Sequence, residues 1–265
     1  MAKNSKQQIV KKNSKQQIVK AETHAVGPAL DFSHDAGMGM EGADRDSFAI
    51  PFLVVLQSNS PQLDTVDGAK PGMLYNSVTG DLMDSATVIP VAFQRKFLAW
   101  APRSAGGGFR GEHAVAVVEA PDNPLNWTRD DEGHMTLPDD SILKDTRNHF
   151  VLILGEDGSA QQALLSLSST QIKKSKRWMS MQQAIQLKRA DGTTFTPPSF
   201  SHMYHVGTVV EENDKGKWRG IDIKLTGPVA DPEIYRAAKA FHAMIVAGKV
   251  NVSPPVEEAA GGEAF

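Results

Sequence analysis

The chain has 265 residues, 40% of them hydrophobic and 22% charged, with a formal net charge of -3 and no cysteine. Such a composition belongs to an ordinary globular protein, and the missing cysteines exclude a disulfide framework, a thiolate nucleophile and a thiolate metal site. No apolar run approaches the roughly 20 residues a membrane-spanning helix needs, and the first lysines are not followed by the apolar segment of a signal peptide, so a cytoplasmic protein is expected.

In chain order, residues 1–24 read as a disordered basic arm. A perfect tandem copy of "KNSKQQIVK" runs from Lys3 to Lys20, and residues 1–20 hold six lysines and no acid. Two copies of nine residues are too short and too few for a solenoid, and so polar a stretch cannot bury enough surface to offset its ordering entropy. Residues 25–46 are rich in Gly and Asp without helical or strand period and read as a loop or wrapping segment.

Strand-like runs follow, rich in β-branched and aromatic residues and separated by Gly, Pro, Asp and Asn. They are 50–57, 86–100, 113–120 ("HAVAVVEA"), 148–155 and 162–168. Residues 201–227 read as two further strands joined at "ENDKG", which carries the residues a hairpin turn needs. Two helices interrupt the pattern. One begins near Ser168 and runs toward Gly192, with Trp178, Met181 and Ile185 as its core stripe. The other has Asp231 as N-cap, Pro232 at its first position and a stop at Gly248. At least seven strands and two helices define a mainly β, α+β protein, expected as one domain over 25–250. Its architecture is an antiparallel barrel or sandwich, with an OB-like barrel among the options. Residues 251–265 read as a flexible acidic tail.

The search for chemistry finds no catalytic motif, and a non-enzymatic protein without cofactor or metal is expected. "SAGGGFRGEH" lacks the Lys-Ser/Thr of a phosphate-binding loop and precedes a strand. His202 and His205 fall on opposite faces of a strand, wrong for one shared ion. Asp130, Asp131, Asp139 and Asp140 read as solvated loop charge, and no nucleophile elbow or zinc-protease motif occurs. A dispersed carboxylate site of a metal-dependent nuclease stays as a further alternative.

Charge is segregated instead. Residues 21–166 hold twenty-one acids against nine bases, residues 167–190 six bases and no acid, and residues after 250 three acids and no base. Bases also sit beside aromatic rings: Arg95, Lys96 and Phe97; Trp100 and Arg103; Phe109 and Arg110; Lys173, Lys174, Lys176, Arg177 and Trp178; Lys217, Trp218 and Arg219. Tyr75 is a further ring among polar turn residues. An unpaired nucleic-acid strand exposes phosphates and base faces, so a sequence-tolerant binder needs cations and flat rings together. The competing reading is core burial: neighbours in a strand face opposite ways, so any of these rings can lie inside with its basic neighbours outside.

With its β-rich body, basic-aromatic clusters and acidic tail "SPPVEEAAGGEAF", the chain resembles the single-stranded DNA-binding proteins of bacteriophages and bacteria. That resemblance implies an OB-fold body that binds single-stranded DNA in replication and recombination, and a tail that docks on replication or recombination proteins. By it, Phe265 would enter an apolar pocket while Glu257, Glu258 and Glu263 steer, and the tail would cover the basic groove when DNA is absent. The chain has Ala264 where the bacterial tail has proline. The stretches "IPFLVVLQSNSP" and "GAKPGMLYNSVTGDL" also resemble an uncharacterised family of replication-region proteins from short-tailed phages. The alternative is a structural or regulatory phage protein that acts on a host polymerase through its tails.

Overall fold

Antiparallel strands carry most of the regular structure in the computed structural model, which describes residues 32–43, 47, 49–214, 216–250 and 252. In chain order these are β1 (Leu53–Val55), α1 (Gln62–Thr65), β2 (Leu74–Asn76), β3 (Leu82–Met83), β4 (Ala86–Trp100), β5 (Phe109–Ala114), α2 (Val115–Val118), β6 (Thr128–Arg129), β7 (Met135–Thr136), β8 (Ile142–Leu154) and β9 (Ala160–Ser168). Then come α3 (Ile172–Ala184), β10 (Leu187–Lys188), β11 (Thr194–Phe195), β12 (His202–Asn213), β13 (Gly216–Pro228) and α4 (Pro232–Val246). The described residues are mainly β with four helices, two of them single turns, around a curled antiparallel half-barrel.

The long strands β4 and β8 form the axis, paired from Thr87–Leu154 to Trp100–Ile142. At one end β12 joins β4 and β9 joins β8, giving the order β13-β12-β4-β8-β9. At the other end β5 pairs with β4, and β7 and β6 continue from β8. Helix α3 lies between β9 and β12 in sequence.

The open edge between β9 and β13 is closed by side chains and by the small sheet β1-β2-β3. Leu164 N–H donates to the Pro51 carbonyl beside β9. On β13, the Gln57 amide donates to the Arg219 carbonyl (2.9 Å) and accepts from its N–H (2.8 Å), and Gln171 Oε1 accepts from Ile221 N–H (2.9 Å). Backbone groups that would otherwise be a free strand edge are thereby satisfied.

Alternation along the strands loads two faces. Ala86, Val88, Val151, Ile153, Ala163, Leu165, Tyr204, Val206, Ile221 and Ile223 point to one face and pack with Trp178 of α3. Ile89, Val91, Phe150, Leu152 and Leu164 point to the other, where α4 covers them with Ala238, Phe241 and Ile245. A bulge between Pro90 and Ala92 changes the parity of β4. It places Phe93, Arg95 and Phe97 on the α3 side, opposite His149, Arg147 and Asp145. A third, smaller core of Phe97, Ala99, Val118 and Leu143 anchors the 101–141 insertion, with Trp127 Nε1–H bound to the Val118 carbonyl (2.9 Å).

Two sequence expectations are corrected. "HAVAVVEA" is not one strand: β5 ends at Ala114 and Val115–Val118 is a helical turn. Burial of Val118 in the third core overrides the strand preference of valine. The first predicted helix stops at Ala184 rather than near Gly192, because Ile185 is extended and β10–β11 form a small hairpin, with Gly192 at φ 85° in its turn. The second helix matches its expectation: Asp231 accepts from Glu233 N–H (2.7 Å) and Gly248 follows at φ 66°. The arm and most of the tail, including Glu257, Glu258, Glu263 and Phe265, lie outside the described residues.

Candidate nucleic-acid interface

The face carrying α4 changes character along its strands. Under α4 it is apolar, whereas beyond α4 the same face of β4, β8 and β9 carries Gln94, Lys96, Leu98 and Trp100, then Lys144, Thr146 and Asn148, then Ser166 and Ser168; of these Leu98, Thr146 and Asn148 are buried and the others half-buried. Asn148 Oδ1 accepts from Ser166 Oγ (2.9 Å) across the strands. At the end of this row Trp100 pairs with Phe109 of β5, their rings edge to face at 5.5 Å. Both rings are half-buried, and Arg110 beside them is exposed. Local sequence explains the placement: Gly106, Gly107 and Gly108, all at positive φ, turn the chain back so that Phe109 meets Trp100. Arg103 opens a single turn, Arg103–Ala105, in the same connection.

The other predicted ring positions are core. Trp178 is fully buried, stacked on His149 at 4.6 Å and edge-on to Tyr204 at 5.6 Å. Phe97 is buried in the third core with the Arg95 guanidinium 5.2 Å from its ring. Trp218 is buried too, its Nε1–H donating to Glu211 (3.0 Å). None of these three rings offers a free face to a base, so the stacking role expected for them is corrected. Tyr75 is half-buried on the small sheet, between Val54 and Leu82.

Several predicted cations are engaged. Arg95 pairs with Asp145 and Glu119, Lys96 with Glu112 (2.5 Å), Lys174 with Glu211 (2.8 Å) and Lys217 with Glu212 (3.2 Å). Burial pushes the Glu211 carboxyl up, but hydrogen bonds from Lys174, Gln171 and Trp218 and the Lys174 charge outweigh it and hold the group below its usual value. Arg219 is held at the backbone by Gln57. Lys173, Lys176 and Arg177 are exposed on α3, whose opposite side buries Trp178.

Sequence reasoning passed over Arg147, Asp145 and Glu119. Asp145 accepts from Nε and Nη2 of Arg95 (3.0 and 2.7 Å) and from Nε and Nη2 of Arg147 (3.0 and 3.1 Å). Burial raises the Asp145 carboxyl, yet the two guanidiniums outweigh it and keep it below the ordinary range. Beside them His149 is buried, its Nε2 2.7 Å from Ser175 Oγ; burial, and then the Arg147 charge, push it down to about 3. Among the described residues no three His, Asp or Glu side chains converge as metal ligands, and no helix is long and apolar enough to cross a membrane. Asp130 and Asp139 accept hydrogen bonds within their own turns, from His134 and Ser141.

Fold and faces define a barrel-like α+β protein with Trp100 and Phe109 at the end of one sheet face and an arginine cluster on the other. The chain belongs to the Pam3 phage gp34-like protein family, whose family model matches residues 19–251, and it is thus a bacteriophage protein. No curated protein and no solved structure matches it.

Proposed function

We propose that the protein binds and protects single-stranded DNA during phage replication and recombination, on the sheet face that ends in Trp100 and Phe109. The observation that carries this reading is the half-buried Trp100–Phe109 pair beside exposed Arg110, where β4 runs into the connection between the first two long strands. The order β13-β12-β4-β8-β9, with α3 between β9 and β12, is what an OB barrel has when its strands are numbered 5-4-1-2-3. OB barrels bind oligonucleotides on the face of strands two and three and with the loop between strands one and two. Here those are the polar stretch of β8–β9 and the 101–141 insertion. Rings there stack on bases while the exposed Arg110 meets phosphates, each stacked base contributing about 1–3 kcal/mol. Family membership places the chain in a phage, where replicating DNA is a substrate at hand. The acidic end of the chain, with Phe265, recruits replication partners in this reading.

Oligo-dT binding followed by tryptophan fluorescence tests it. Trp100→Ala and Phe109→Ala each weaken binding by about tenfold or more, in line with the loss of one stacked base, and Trp100→Phe removes most of the quenching while keeping affinity. Wild-type affinity in both alanine variants would overturn the reading.

A further inference from the structure

On the opposite side of the sheet, two covered stretches leave a gap. Trp178 and Ser175 of α3 cover His149, and Val118 of α2 packs with Phe97. Between them lies the cross-strand pair Arg95–Arg147, its side chains 26% and 13% exposed, so neither is sealed from solvent. Like charges directly opposite on an antiparallel pair repel. Asp145 answers that repulsion by bridging both forks, but one carboxylate against two guanidiniums leaves a local charge of about +1. Glu119 supplies the second anion. Its carboxylate adds a 2.7 Å contact to an Arg95 nitrogen that Asp145 already engages, from a side chain that is 51% exposed at the end of α2.

Asp145 is therefore structural, whereas Glu119 is an exposed carboxylate on the one Arg95 Nη2 hydrogen that Asp145 leaves. We infer that Arg95 and Arg147 form a binding site for a phosphate-class oxyanion, and that Glu119 occupies it in the free protein and yields to the ligand. Each guanidinium keeps Nη1 free of any protein partner among the described residues, and the planar fork matches phosphate oxygens. The ligand is an internal phosphodiester of a strand, a terminal phosphate or a free phosphate, which share this chemistry. This site stands independently of the Trp100–Phe109 face.

The test titrates the full chain with inorganic phosphate while the arginine Nε–H signals are followed by NMR. Glu119→Gln and Arg147→Gln are compared, with thermal midpoints as fold controls. Phosphate shifts the Arg95 and Arg147 signals in wild type, Glu119→Gln tightens the response about fivefold, as for release of one exposed ion pair, and Arg147→Gln abolishes it. A purely structural cluster would leave Glu119→Gln with wild-type affinity or none, and that result overturns the inference. Oligo-dT with a 5′-phosphate, with a 5′-hydroxyl, and with a neutral methylphosphonate backbone separates the sources. Loss of the shift only in the methylphosphonate strand assigns an internal phosphodiester, and a shift only with the 5′-phosphate assigns a strand end. If phosphate binds but no oligonucleotide does, the anion site stands and the DNA-binding reading falls. If oligo-dT binds while Glu119→Gln leaves phosphate and DNA affinity unchanged, the reverse holds.

Discussion

At the residue scale, burial divides rings that the sequence presents alike. Trp100 and Trp178 each sit near a base in the chain, yet one lies half-buried against Phe109 and the other is sealed between His149 and Tyr204. The environment of Trp178 is costly in polar terms: its Nε1 and Tyr204 Oη are buried without a hydrogen-bond partner, and burial pushes the Tyr204 hydroxyl up to about 12. His149 adds a pH signature. Its folded value of about 3 lies below the ordinary 6.5, so between those values the unfolded chain binds a proton that the native state does not. Stability therefore falls as pH drops through this window, by about 1.4 kcal/mol per pH unit at most from this group. Urea unfolding from pH 7 to 4 measures it: His149→Gln shows a shallower loss than wild type, and an identical slope would refute the assignment.

At the element scale, reading from sequence succeeded where one strong local signal governs. Residues 86–100 form a strand with the predicted bounds because β-branched and aromatic residues recur along the whole stretch, and α4 starts where Asp231, Pro232 and Glu233 require. Residues 113–120 misled because their valines serve a small tertiary core rather than a ladder. Among site residues, Trp100, Phe109 and Arg110 were legible from their neighbours in the chain, but the arginine cluster was not. Arg95 meets Arg147 only through strand register, and the predicted strand began at Asn148, hiding Asp145 and Arg147. The signal was present: two opposite charges two residues apart in a strand share a face. The long-range closure was equally silent, since Gln57 and Gly72 reach β12–β13 across the fold. Gly72 has φ 96°, its carbonyl accepts from Thr208 Oγ1 (2.6 Å), and an added Cβ would lie 3.1 Å from that oxygen. Gly72→Ala accordingly destabilises by about 1–3 kcal/mol, read as a lower urea midpoint, and an unchanged midpoint would show that this closure contributes little.

At the scale of the whole molecule, a net charge of -3 conceals two different surfaces. The acids of 21–166 are partly spent on neutralising neighbours, as Asp145, Glu112 and Glu119 do, while α3 keeps Lys173, Lys176 and Arg177 exposed. Helix α4 makes the other decisive contribution. It covers the apolar half of its sheet face and leaves uncovered by α4 the more polar half, whose far end carries the half-buried Trp100 and Phe109. The most direct measurement of DNA binding is an oligo-dT titration repeated over a salt series, with duplex DNA of equal length alongside. Saturable binding that favours the single strand is expected, with log affinity falling against log salt by about 0.7 per contacted phosphate. Absence of saturable binding at low salt, or equal affinity for duplex, would contradict it.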